Sequence, residues 1–230
     1  MIKNEEDYYK AYDLRYKQIH SKGLLWELTD NTPLVLEFLN YYGANNNSSI
    51  LDLGCGEGRD AIYLLENNYN NLLAIDYSIE TIKTCNKLTN NLYKSNFKQL
   101  DIINDELTET FDYIYSISVL HMFILQKHRN KYWNFIFEHL NRDGKALITV
   151  LGDGNFVKET KIEDAFKNSE RVIQSNNEKV VIANTSCKIV TWSMLEKEIK
   201  ENNLTIEKKW LSHKIPGFDN SMCVIVKKNK

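Results

Sequence analysis

Three carboxylates and a run of glycines are the residues of this chain best able to do chemistry together. Asp52 is followed by Gly54, Gly56 and Gly58 in Leu51-Asp52-Leu53-Gly54-Cys55-Gly56-Glu57-Gly58-Arg59. Glycine adopts positive φ and lets a ligand approach the backbone, so such a loop is either a tight turn or the floor of a binding site. Asp76 closes the apolar run Leu73-Ala74-Ile75, roughly 20 residues beyond the glycines, where an acid can accept hydrogen bonds from both hydroxyls of a ribose. The alternative for Asp76 is a solvated or helix-start charge. Asp101, in Gln99-Leu100-Asp101-Ile102, could reach an adenine amino group, with Ile102 packed on the ring.

The spacing sharpens the chemistry. A dinucleotide loop reads G-x-G-x-x-G and keeps a helix N-terminus free for pyrophosphate. Here the pattern is G-x-G-x-G, with an acid two residues before the first glycine. A carboxylate there would repel a pyrophosphate and attract an amino group. S-adenosylmethionine, which has no phosphate and carries an amino acid and a sulfonium, suits this loop better than NAD.

The elements that must position these residues alternate. Strands are expected at Ile50–Leu53, Leu72–Ile75, Phe97–Leu100, Tyr113–Ser118 and Lys145–Leu151. Helices are expected at Asp60–Glu66, at Ile79–Leu88 with Ser78 as cap, and at Lys127–Leu140. Asn141-Arg142-Asp143-Gly144 reads as the turn into the fifth strand. Strands separated by helices of this length imply a parallel sheet covered on both faces, and ligands bind beyond the carboxyl ends of such strands. Before this region lie a helix over residues 5–19, with Tyr8, Tyr12 and Tyr16 every four residues, and a second helix capped by Thr32 that starts at Pro33 and stops near Gly43. After it come a short strand at Lys188–Thr191, a helix with a capping-box start at Ser193, and two strand-like runs, Thr205–Trp210 and Met222–Lys227. The last two predict an antiparallel hairpin at the sheet edge.

Composition bounds the rest. With 230 residues, 43% of them hydrophobic, only two prolines and no Gly/Ser-rich stretch, the expectation is a single domain with a real core. Within it we expect a helical lid over residues 1–44, a cofactor-binding half over 45–151, and an acceptor-side insertion with C-terminal strands over 152–230. Net charge is −2 with signs interspersed, which argues against a nucleic-acid partner; the tail Lys227-Lys228-Asn229-Lys230 reads as a solvated terminus. The acid-bearing start Met1–Asp7 is not a secretion signal, and no apolar run is long enough for a membrane span. Cys55, Cys85, Cys187 and Cys223 are far apart and lack nearby histidines at ligand spacing, so neither a metal site nor a disulfide framework is expected. These features point to the cytoplasm. Oligomeric state is not legible.

On these residues the chain resembles the class I S-adenosylmethionine-dependent methyltransferases over about residues 50–151. Ile50 to Gly58 is similar to that family's first motif, Phe111-Asp112-Tyr113-Ile114-Tyr115-Ser116 to a later one, and Leu140-Asn141-Arg142-Asp143-Gly144 to its turn before the fifth strand, with Asp143 replacing a usual glycine. The resemblance implies an α/β fold: a Rossmann-like three-layer sandwich with a mostly parallel seven-stranded sheet, an antiparallel C-terminal hairpin and an N-terminal helical lid. It implies S-adenosylmethionine as cofactor, held by Asp52, Gly54, Cys55, Gly56, Gly58, Arg59, Asp76, Tyr77, Asp101, Ile102, Ser116 and Ile117. Gly56 to Leu64, Ser118-Val119-Leu120-His121-Met122-Phe123 and Tyr12-Asp13-Leu14-Arg15-Tyr16 look like the tellurite-resistance and thiopurine type, which implies a small-molecule acceptor.

Methyl transfer requires a nucleophile aligned with the S–CH₃ bond and shielded from water. A thiol acceptor needs little help, whereas a hydroxyl needs a base. His121 is the candidate for that base or for orienting the acceptor, the alternative being a packed histidine. Tyr8, Tyr12, Tyr16 and Trp26 are candidates to close over the site, since aromatic faces attract a sulfonium; helix packing is their alternative role. The rival functions are a nicotinamide-dependent oxidoreductase, a methyltransferase of nucleic acid or protein, and a binding protein without catalysis.

Overall fold

The computed structural model describes residues 5–26, 30–173 and 177–229. Met1–Asn4 and Lys230, named above at the two ends of the chain, lie outside the described residues.

After a 3-10 stretch at Glu5–Lys10, the elements are helices α1 (Ala11–His20) and α2 (Pro33–Tyr41), then strand β1 (Ile50–Leu53), α3 (Arg59–Glu66), β2 (Leu72–Asp76), α4 (Ile79–Leu88), β3 (Phe97–Gln99) and β4 (Phe111–Ile117). They continue with α5 (Gln126–His139), β5 (Leu140–Leu151), β6 (Lys158–Glu159), β7 (Asn168–Val172), β8 (Lys179–Ala183), β9 (Lys188–Ile189), α6 (Trp192–Glu201), β10 (Leu204–Ser212) and β11 (Ser221–Lys228). Seven strands form one sheet in the order β10-β11-β5-β4-β1-β2-β3. The five from β3 to β5 run parallel, and β11 enters antiparallel between β5 and the edge strand β10. The order reverses between β1 and β4, so the switch point of this Rossmann-like sheet lies at the glycine loop.

All four residues of β1 are buried, as a strand covered on both faces requires. Its side chains alternate between two cores. Ile50 packs with Leu39, Leu64, Ala74 and Tyr115 against the layer of α2, α3 and α4, while Leu51 and Leu53 pack with Ile114, Tyr132, Trp133, Ile148 and Leu195 against that of α5 and α6. The three-layer architecture follows from this period of two.

Four local expectations need correction. The segment over residues 5–19 is not one α-helix, because its first six residues are 3-10. Residues 141–144 are not a turn: β5 starts at Leu140, directly after α5, and Leu140 already pairs with Phe111. Gly144 is there because two strands touch, since a Cβ would meet the Asp112 carbonyl oxygen at 2.9 Å. The cap of α6 is Thr191, which accepts from Met194 N, two residues earlier than Ser193. Thr32 does precede α2, but its side chain bonds Asp60 instead of capping the helix.

Residues 152–190, for which the sequence offers no motif, form two small antiparallel pairs, β6 with β9 and β7 with β8. The second packs on α1 through Ile19, Ile173, Val180 and Ile182, joined by Trp26. No helix among the described residues is long and apolar enough to cross a membrane.

Candidate active site

The turn after β1 depends on its glycines. Gly54, Gly56 and Gly58 all have positive φ, and a Cβ on Gly54 would lie 2.4 Å from a Val119 methyl carbon. The loop is fastened to the neighbouring strand, because Gly54 N and Cys55 N both donate to Ile75 O at 2.9 Å. Asp76, at the end of β2, accepts from Gly56 N at 2.9 Å and Ser78 N at 2.8 Å. Burial raises its pKa, with the two backbone donors opposing that shift. Asp101, just beyond β3, accepts from Tyr9 OH at 2.8 Å, Asn104 Nδ2 at 2.9 Å and Ile103 N at 3.0 Å. Asp52 is 3% exposed at the end of β1, and its charge, after burial, holds the neighbouring Tyr115 phenol well above its usual range.

These groups open onto one cavity of about 400 Å³. Its lining brings together Asp52, Gly54, Cys55, Gly56, Arg59, Asp76, Tyr77, Asp101, Ile102 and Ile117 with Tyr12, Tyr16, Trp26 and His121. Three expected residues lie elsewhere. Gly58 starts α3, where a Cβ would sit 2.7 Å from Cys85 Sγ; its role is packing under the loop. Ser116 donates to Leu53 O at 2.8 Å and ties β4 to β1. Tyr8 is fully buried, accepting from Ile124 N and Leu125 N, so it serves the core.

The turn after β4 lines the same cavity, with Val119 against Gly54. Ser118 has φ of 58°, a conformation rare outside glycine, and its N donates to Thr149 Oγ1 at 2.9 Å. Ser118 Oγ and His121 Nδ1 are buried, line the cavity, and find no hydrogen-bond partner among the described residues. Buried polar atoms left open are costly unless a ligand completes them. Burial, then the charges of Arg129 and Arg15, push His121 down to about 3, so its ring is neutral at physiological pH. A ring so weakly basic suits accepting or donating one hydrogen bond better than removing a proton. A hydrogen bond with Cys85, then burial, hold the Cys55 thiol well above its usual range, which leaves it no nucleophile.

Sequence reasoning missed several residues of this wall: Tyr9, Arg15, Arg171, the run Asn184–Cys187, Pro216 and Phe218. Arg15 had a signal, being the cation between Tyr12 and Tyr16 on the helix face read as a lid. The insertion residues had none, because their place depends on β8 packing against α1.

Comparisons with known proteins agree with this geometry. Residues 51–146 match the family model described as Methyltransferase domain. That span holds the glycine loop, Asp52, Asp76, Asp101 and His121. A curated relative, EEF1A lysine methyltransferase 2 of Danio rerio, is 30% identical over 94 residues, which cover 41% of this chain and 39% of that protein. Among solved structures, an S-adenosylmethionine-dependent methyltransferase from Clostridium acetobutylicum superposes with TM-score 0.65 at 18% identity, covering 96% of this chain and 99% of that one. The 1,6-didemethyltoxoflavin-N1-methyltransferase of Burkholderia thailandensis gives 0.69 at 15% identity, covering 100% and 92%. The shared fold is thus that of a methyltransferase over nearly the whole chain.

Proposed function

We propose that this chain is an S-adenosylmethionine-dependent methyltransferase acting on a small-molecule acceptor through a thiol, chalcogen, hydroxyl or amine group. The observation that carries the reading is that Asp52, Asp76 and Asp101, from the ends of three adjacent strands, line with the glycine loop a single cavity that is also lined by residues of α1 and of the insertion. The residues present fit the cofactor. Asp76 keeps lone pairs for ribose hydroxyls beyond its two backbone donors, Asp101 stands beside the apolar Ile102 and Leu100 that an adenine needs, and Asp52 suits the amino group. When bound, the sulfonium supplies an electrophilic methyl group.

What the chain does is align and exclude. Tyr12, Tyr16 and Trp26 wall the cavity, and alignment of this kind contributes on the order of 7–11 kcal/mol. In the displacement, an acceptor lone pair forms the new bond to the methyl carbon while the S–C bond breaks and its electron pair stays on sulfur. The acceptor proton, where there is one, leaves to solvent, while neutral His121 orients the acceptor through a hydrogen bond. Because His121 is a weak base, acceptors that are already nucleophilic, such as thiols and amines, fit better than alcohols.

The motifs at 56–64 and 118–123 favour the tellurite-resistance and thiopurine type within the family. Protein methylation is the second reading, supported by the relative of 41% coverage from Danio rerio. The walled cavity favours the smaller acceptor. Calorimetry with S-adenosylmethionine and with NADH, followed by a screen of thiols, amines, phenols and chalcogen oxyanions for S-adenosylhomocysteine release, tests both. Release with a protein or RNA substrate alone would move the acceptor class.

A further inference from the structure

Among the described residues two arginines are deeply buried, and only one of them pairs with an acid. Arg129, 0% exposed, makes a two-pronged pair with Glu198, Nε to Oε1 at 2.7 Å and Nη2 to Oε2 at 2.9 Å. Arg15 is 7% exposed and lines the cavity, yet among the described residues no carboxylate pairs with it. Its Nε donates to Ala183 O at 3.0 Å and its Nη2 to Asn184 O. Its guanidinium carbon lies 4.9 Å from the centre of the Trp26 ring and 5.5 Å from that of Tyr12. A guanidinium has five N–H donors, so several remain, and a buried cation without a counter-charge is costly.

The charges around the cavity are segregated. The four acids that line it, Asp52, Asp60, Asp76 and Asp101, all come from the half that the cofactor would occupy. Arg59 belongs to the same half, with Nε 3.7 Å from Asp60 Oδ2. Arg15 and Arg171 stand on α1 and the insertion, and Arg171 Nη2 donates to Asn184 Oδ1 at 3.0 Å, beside the backbone that holds Arg15. Burial is the largest influence on the Arg15 pKa, and no acid is among the others.

We infer that Arg15 is the docking cation for the acceptor, which carries a small carboxylate or oxyanion group. The inference rests on the methyltransferase reading and names the substrate class of the same site. The group has a planar edge to meet, because stacking on Trp26 and Tyr12 and two bonds to carbonyls fix the guanidinium before a ligand arrives. The attacking atom and the anionic group are then different parts of one small molecule.

The test uses the full chain saturated with S-adenosylhomocysteine, with benzoate and its uncharged isostere benzamide titrated separately by calorimetry. Benzoate should bind roughly tenfold tighter or more, the scale of hydrogen bonds to a charged group. Arg15→Gln should abolish that preference and leave S-adenosylhomocysteine affinity within about twofold, while Arg15→Lys should retain part of it. Equal binding of the two probes, or none of either, overturns the inference. So does an Arg15→Gln protein that loses S-adenosylhomocysteine affinity but keeps that for 5′-methylthioadenosine, since Arg15 would then serve the cofactor's own carboxylate. Should Arg15→Gln not fold, the wild-type ratio and its reduction in Arg15→Lys decide. Failure of the wild-type chain to bind S-adenosylhomocysteine would instead overturn the reading beneath.

Discussion

At the scale of single residues, Asp76 and His121 carry opposite tasks, and each exposes its role to a simple measurement. Asp76 is a half-buried carboxylate whose two backbone donors use only part of its accepting capacity. Replacing it with asparagine puts an amide NH₂ where an acceptor is required. Affinity for S-adenosylhomocysteine should fall by roughly tenfold to a hundredfold, the worth of one or two hydrogen bonds to a charged group. Unchanged calorimetric affinity would place the ribose elsewhere. His121 makes a prediction in pH. Its folded pKa, about 3, lies below the ordinary value of 6.5, so between those limits the unfolded chain holds more protons and stability rises with pH. The contribution is fully present above pH 6.5 and is lost as pH falls towards 3. Between pH 6.5 and 5 the wild type should therefore lose roughly 1.5–2 kcal/mol more than His121→Leu in urea unfolding. In turnover, no ionisation near pH 6–7 should belong to His121. A limb there that His121→Asn removes would make the residue a base after all.

At the scale of elements, the turn that carries His121 is held by a helix pair. Arg129 of α5 donates to Leu120 O at 3.0 Å and Phe123 O at 3.2 Å while it grips Glu198 of α6, which also accepts from Trp133 Nε1. Arg129→Met should cost about 3–5 kcal/mol, because Glu198 stays buried without its partner; adding Glu198→Leu should recover most of it. A single variant within 1 kcal/mol of wild type by urea unfolding would show that the pair does not hold this region. Elements also explain what the sequence made legible. The alternation of apolar runs and amphipathic segments from Ile50 to Glu138 set the strands and helices to within a few residues, since each satisfied its own period. Gly144 misled because glycine serves both turns and close strand contacts, and only the partner Asp112 tells them apart. Asp52, Asp76 and Asp101 were legible as a group because sheet topology alone brings strand ends together. Asn184 and Arg171 were not, since they meet Arg15 through the packing of α1 on an insertion with no sequence period of its own.

At the scale of the whole molecule, α1 touches both halves of the site. Towards the cofactor half, Asp13 Oδ1 accepts from Ser78 Oγ at 2.6 Å, and His20 Nε2 lies 2.7 Å from Glu57 Oε1 in the glycine loop. Towards the insertion, Tyr12 OH donates to Ser186 O at 2.8 Å and Gln18 Oε1 accepts from Ala183 N at 2.7 Å. A lid bonded on both sides cannot detach without exposing Ile19 and the small core it shares with Ile173, Val180 and Ile182. The two large cores, in turn, share every strand of the central sheet but the edge strand β3. Lid, sheet and insertion should therefore unfold as one unit, in a single calorimetric transition. S-adenosylhomocysteine at a hundred times its dissociation constant should stabilise that unit by about 2.7 kcal/mol, raising the midpoint by roughly 5–10 °C for a chain of this size. Two transitions, with only the upper one moved by the ligand, would mean that the lid and insertion fold apart from the site they cover.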